Sequence, residues 1–167
     1  LRGASVARKQ VVGDGGAMSL ENLLKINQLQ RHAATAEEVQ RLLAAANRNL
    51  ADSAVAGLSE ETRFDAAYKA IMQCAMMGLM ANGYRPSTTT PGHHQTMIQT
   101  LGLTMGVGKE VWIVLDSLRK KRNLNDYSGD LIEPAAVRNC ISQAQFLLTH
   151  THQWLSEHRP ELLRKHP

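Results

Sequence analysis

"SEETRFDAAYKAIMQCAMMGLMANG", residues 59–83, decides the fold. Ser59 stands where a helix N-cap belongs, and Glu60 and Glu61 complement the positive end of the helix dipole. Phe64, Ala67, Tyr68, Ile71, Ala75, Met76 and Leu79 then recur at i, i+3, i+4 until Asn82-Gly83 supplies a stop. The apolar stripe is wide, so this helix belongs at the centre of the molecule with other helices packed on it.

The same signals recur on both sides of this helix. Thr35 with Glu38 three residues on forms a capping box, and Val39, Leu42, Leu43, Ala46 and Leu50 follow as a stripe. Before it, Ser19 is placed to cap a helix over "SLENLLKINQLQRHA" (19–33), with Leu20, Leu23, Leu24 and Asn27 on one face, giving an antiparallel pair with its successor. Downstream, "YRPSTTTPGHH" (84–94) reads as a loop, and "HHQTMIQTLGLTMGV" (93–107) as a short helix broken by its glycines. A further helix over 109–122 turns Val111, Trp112, Val114, Leu115 and Leu118 inward. The last starts at Pro134 and carries Val137, Ile141, Ala144, Leu148 and Leu155. Short connections imply antiparallel neighbours. The fold class is all-α: an up-and-down helical bundle of about five to six helices, one domain over 19–160.

Composition agrees. Only 4% of the 167 residues are aromatic, while Ala, Leu and Met abound, which favours helix over strand. The first eighteen residues lack any helical or alternating period and read as an appended or alternative-start leader without fixed structure. Cys74 and Cys140 sit among apolar helical neighbours and read as buried hydrophobes, which suits a reducing cytoplasm. No stretch is long and apolar enough to cross a bilayer. The net charge of +4 is too small to name a partner.

Two stretches carry candidate chemistry. In "RKKRNLNDYSGD" (119–130), Arg119 and Arg122 are one helical turn apart and share a face, and forked guanidiniums suit phosphate. Asn123, Asn125 and Asp126 add hydrogen-bonding groups, and Tyr127 adds a ring for stacking or for covering the helix end. The alternative is that the four cations gather at a helix C-terminus because the dipole favours them there. The second stretch is His93-His94 after Pro91-Gly92. Adjacent histidines diverge on a helix and no third ligand follows, so a metal site is not expected, whereas one imidazole would serve as hydrogen-bonding group or base. His150 and His152 have weaker claims. "GLTMGVGK" (102–109) lacks the strand and the Ser/Thr of a phosphate loop, and no cofactor motif is present. Met72, Met76, Met77 and Met80 fill a core or line an adaptable small-ligand pocket.

The long Ala-rich helix, the turn "NGYRPSTTTPGHH" (82–94), the Trp112 helix and "LRKKRNLNDYS" (118–128) together resemble the HEPN family of small helical bundles, over residues 59–157. The resemblance implies a homodimer that binds RNA or a nucleotide. It also implies a place in a toxin–antitoxin or defence system, either with a nucleotidyltransferase antitoxin as partner or as a metal-independent RNase. The family's signature is an Arg followed, after four to six residues, by His. Arg122 and Asn123 match its start, but Leu124 to Gly129 include no histidine, and starting from Arg119 fails likewise. The resemblance therefore implies a binding module using Arg119, Arg122, Asn123, Asn125, Asp126 and Tyr127. Cleavage would need Arg122 with His93 or His94 as the proton-transfer group. A non-catalytic structural dimer or a small-ligand binder is the third reading.

Overall fold

A computed structural model describes residues 12–13 and 16–165. The leader expected over 1–18 lies for the most part outside the described residues. The elements are a two-residue antiparallel pair, β1 (Val12–Gly13) and β2 (Gly16–Ala17), then α1 (Leu20–Lys25), β3 (Leu29–Arg31), α2 (Ala36–Ser53), α3 (Glu60–Ala81) and β4 (Tyr84–Pro86). They are followed by α4 (His93–Gln99), α5 (Leu101–Met105), α6 (Lys109–Ser128), α7 (Pro134–His158) and a 3-10 turn, Pro160–Leu163.

The molecule is a helical bundle, and α3 is its axis. Phe64, Ala67, Ala70, Cys74, Met77 and Leu79 are 0% exposed, so apolar residues fill far more than one stripe of this helix. A helix apolar nearly all round must be covered nearly all round. On one side α2 runs antiparallel to it: the Arg63 Nε donates to the Ser53 carbonyl at 2.8 Å, and the Asn49 amide donates to Gln73 Oε1 at 2.9 Å. On another side α7 runs parallel to it. Cys140 Sγ lies 3.8 Å from the Phe64 carbonyl, and Arg159 at the far end of α7 donates to the Ala81 carbonyl. Chain direction alternates through α2, α3, α6 and α7, and the parallel α3–α7 pair is the product of that alternation.

The caps form as expected. Thr35 Oγ1 accepts from the Glu38 N–H at 3.2 Å while Glu38 Oε1 accepts from the Thr35 N–H at 3.3 Å, completing the capping box of α2. Ser59 Oγ accepts from the Thr62 N–H at 3.1 Å, and α3 ends at Asn82-Gly83, where Gly83 has φ 92°. The expected break after α4 falls at Thr100, and α5 ends at Gly106, with φ 67°.

Three expectations are corrected. The helix expected over 19–33 stops at Lys25, and Asn27 takes a left-handed φ of 62°. Asn tolerates this conformation, and the reversal lets Leu29, 1% exposed, drop into the core. Residues Leu29–Arg31 then pair antiparallel with Tyr84–Pro86, in the register Leu29↔Pro86, Gln30↔Arg85, Arg31↔Tyr84, so the start of the supposed loop is a strand. The third correction is that α6 runs to Ser128 rather than Arg122, ending where Gly129 adopts φ 70°. The four cations at 119–122 thus lie well inside the helix, and the C-terminal dipole does not account for them.

Candidate functional site

The interior position of the cations changes what they face. Arg122 of α6 reaches Asp65 and Tyr68 in the N-terminal half of α3, Arg119 is near enough to act on Tyr68 through its charge, and α4 brings two histidines to the same place. Tyr68 is the centre. It belongs to the buried stripe of α3 and is 2% exposed, and a buried phenol needs a partner for its hydroxyl. That partner is His94 Nδ1, at 3.2 Å. The guanidinium carbon of Arg122 lies 4.9 Å from the centroid of the Tyr68 ring, within cation–π range. His93 meets His94 edge to face, with ring centroids 4.6 Å apart.

The electrostatics follow from burial. Desolvation pushes the Tyr68 phenol up to about 12, against the pull of Arg122 and Arg119. Burial, then His93, Arg122 and Arg119, hold the His94 imidazole below its ordinary value, which favours its neutral form. Two tautomers are open to it. When the phenol donates to Nδ1, the Nε2–H is left as a donor. When Nδ1–H donates to the phenol oxygen, Nε2 is left as a base.

Each arginine has a nearby carboxylate, but on different terms. Arg119 Nε donates to Asp116 Oδ1 at 2.8 Å, and both side chains are largely covered, at 14% and 15% exposure. Lys120 lies 3.5 Å from the other oxygen of Asp116. Arg122 Nε lies 3.4 Å from Asp65 Oδ1, beyond hydrogen-bond geometry, and is a buried donor with no hydrogen-bond partner. Its side chain is 31% exposed, and with Nε buried that exposure falls on the rest of the side chain. Arg119 is therefore a braced cation, and Arg122 is a loosely held one beside a neutral imidazole.

Of the residues singled out from sequence, the structure brings Arg119, Arg122, His93 and His94 to one junction of α3, α4 and α6. Asn123, Asp126 and Tyr127 do not join them. All three are exposed on the last turns of α6, and Tyr127 at 93% exposure neither stacks on nor covers anything. The Asn125 amide donates to the Asp130 carbonyl and fastens the α6–α7 turn. His150 is used structurally, 2.7 Å from the Met105 carbonyl oxygen through Nε2, and His152 is exposed. Tyr68 and Asp65 were missed as site residues. The available signal was a phenol in an otherwise apolar stripe, which demands a polar neighbour.

Cys74 and Cys140 are buried free thiols, each raised by burial to about 12, which leaves them inert. Among the described residues no three His, Cys, Asp or Glu side chains gather to hold a metal ion, and no helix is long and apolar enough to cross a membrane. Of the four methionines of α3, Met72 and Met77 are in the core, while Met76 and Met80 line a groove between α2 and the β3–β4 ladder. No family model, no curated protein and no solved structure matches this chain.

Proposed function

We propose that the chain is an HEPN-like helical module that binds phosphate groups of RNA or a nucleotide at the junction of α3, α4 and α6. One observation carries the reading: the Tyr68 hydroxyl meets His94 Nδ1 at 3.2 Å while the Arg122 guanidinium lies 4.9 Å from the same ring. A phosphate that displaces Asp65 gains the forked contacts of Arg122, and the His94 Nε2–H supplies a further donor in the first tautomer. Arg119 contributes charge from behind its Asp116 brace.

The partner-binding part of the proposal, a homodimer or a nucleotidyltransferase antitoxin, draws on the end of α6. Leu124, Tyr127 and Leu131 are 70%, 93% and 85% exposed around the α6–α7 turn, and Leu124 and Leu131 line one shallow depression there.

Filter binding with a short single-stranded RNA at several salt concentrations tests the phosphate site. Arg122→Ala should weaken binding by about 1.5–3 kcal/mol, at least about tenfold, and reduce the salt slope by about 1. Arg119→Ala should do less, because Asp116 already satisfies its guanidinium. Unchanged affinity and slope in the double variant would remove both arginines from the site.

A second reading is favoured by the neutrality of His94. In the second tautomer Nε2 takes the proton of a ribose 2′-hydroxyl, the 2′-oxygen attacks the adjacent phosphorus to give a 2′,3′-cyclic phosphate, and Arg122 stabilises the charge as the bond to the 5′-oxygen breaks and that oxygen takes a proton from water. That metal-independent RNase would cleave in excess chelator and lose cleavage in His94→Ala.

A further inference from the structure

A groove of about 620 Å³ opens on the side of α3 away from α7, between α2 and the β3–β4 ladder. Its floor is apolar: Leu42 and Ala45 from α2, Met76 and Met80 from α3, and Pro86 from β4. Its rim is cationic. Glu38, Arg41, Leu42, Ala45 and Arg48 follow one face of α2, so the two arginines lie about two turns apart over the same floor, and Arg85 faces them from β4.

The charges on this rim are left over. Arg31, Arg63, Arg119, Arg122 and Arg159 each have a carboxylate within 4.0 Å. Arg41, Arg48 and Arg85 have none among the described residues, and Arg85 meets only the Gln30 amide oxygen, at 3.2 Å. The one acid in the groove, Glu38, is already engaged, 2.6 Å from His32 Nε2 and joined to Thr35 in the capping box. Three unneutralised guanidiniums over an apolar floor ask for an occupant that is anionic at one end and apolar along the rest. The volume suits a small molecule, since such sites measure about 300–1,000 Å³. Methionine adapts to the shape of what lies on it, so Met76 and Met80 suit a flexible chain.

We infer that this groove is a binding site for a small amphipathic anion, with an alkyl or similar apolar body on Met76, Met80 and Leu42 and a carboxylate or phosphate head among Arg41, Arg48 and Arg85. The site is separate from the RNA site: the groove lining includes none of Asp65, Tyr68, His94 and Arg122, and Met76 lies about two turns farther along α3 than Tyr68.

Isothermal titration of the full chain with decanoate, decyl phosphate, decanol and inorganic phosphate, the two decyl anions below their micelle concentrations and decanol below its solubility, tests it. Either or both decyl anions should bind, and which binds tighter identifies the head as carboxylate or phosphate. Decanol and inorganic phosphate should bind at least about tenfold more weakly. Arg41→Gln with Arg48→Gln, both exposed positions, should raise Kd for the decyl anions at least about tenfold, whereas Arg122→Ala should leave it unchanged. In a spectrum of ¹³C-methyl methionine, the Met76 and Met80 signals should move on titration and that of Met77 should not. Decanol binding as tightly as decanoate, indifference to the double arginine change, a still Met76 and Met80, or no binding by either decyl anion would overturn the site.

Discussion

Phe64→Ala should cost about 3–5 kcal/mol of unfolding free energy. Phe64 is 0% exposed and lies early in α3, where its carbonyl meets Cys140 of α7. Because α3 is covered on nearly every side, the space vacated by the ring is walled by several helices and cannot collapse by moving one of them. The loss therefore combines the transfer term with an unrelaxed cavity. Domains of this size have about 5–15 kcal/mol in total, so the variant should retain little margin at 37 °C, and its melting temperature should fall by about 6–20 °C. Urea denaturation checks it: the midpoint should drop with the m-value unchanged. A loss under about 1 kcal/mol would mean that Phe64 is not sealed in the core.

The second large effect is expected at Gly78. A Cβ built there would sit 3.0 Å from both Met105 Cε and Thr104 Oγ1, and 3.2 Å from Met105 Cγ, so α5 rests directly on this part of α3. For Gly78→Ala, opposing terms nearly cancel. Ala gains about 1 kcal/mol of helix propensity, and the flexible end of Met105 can give by a few tenths of an ångström. For Gly78→Leu they do not. The branched side chain claims volume held by α5, and overpacking costs about 1–3 kcal/mol or more. Displacing α5 also moves the Gly106–Gly108 link into α6 and with it Arg122, so Leu at 78 should weaken RNA binding while Ala spares it. Denaturation and RNA binding of the two variants side by side decide it. Equal tolerance of Ala and Leu would contradict the α3–α5 packing.

Much of the bundle is legible in the sequence because local signals and tertiary packing agree there. Thr35/Glu38, Ser59, Asn82-Gly83 and Pro134 each fix a helix end by chemistry that needs no partner. The stretch 26–31 is not legible in this way. After Leu24 the apolar period ends, but "INQLQR" contains no Gly or Pro to announce a reversal, and the three-residue strand exists only because residues 84–86 lie beside it. At 123–128, Asn, Asp and Ser have low helix propensity, which made the end of α6 look six residues too early, although Gly129 marks the true stop.

The candidate site was half visible. Arg119 and Arg122 on one helical face, and one useful histidine after Gly92, follow from spacing. That α3 would present Tyr68 to both, and that the chain would bring positions 68, 94 and 122 together, depends on how three helices pack, which spacing does not encode. Tyr127 is the ring nearest Arg122 in sequence, yet the ring beneath Arg122 is Tyr68.

The most direct test of the phosphate site is an NMR titration of His94 in the free protein and with a short single-stranded RNA bound. Burial and the neighbouring cations place its midpoint below 6.5 in the free protein. A bound phosphate stabilises the imidazolium, so the midpoint should rise on RNA binding, with RNA affinity increasing by linkage as pH falls through that range. The Arg122 Nε–H signal should move along the same binding curve. A His94 midpoint at or above 6.5 without RNA, or His94 and Arg122 signals unmoved by an RNA that binds, would contradict the assignment of this junction as the phosphate site.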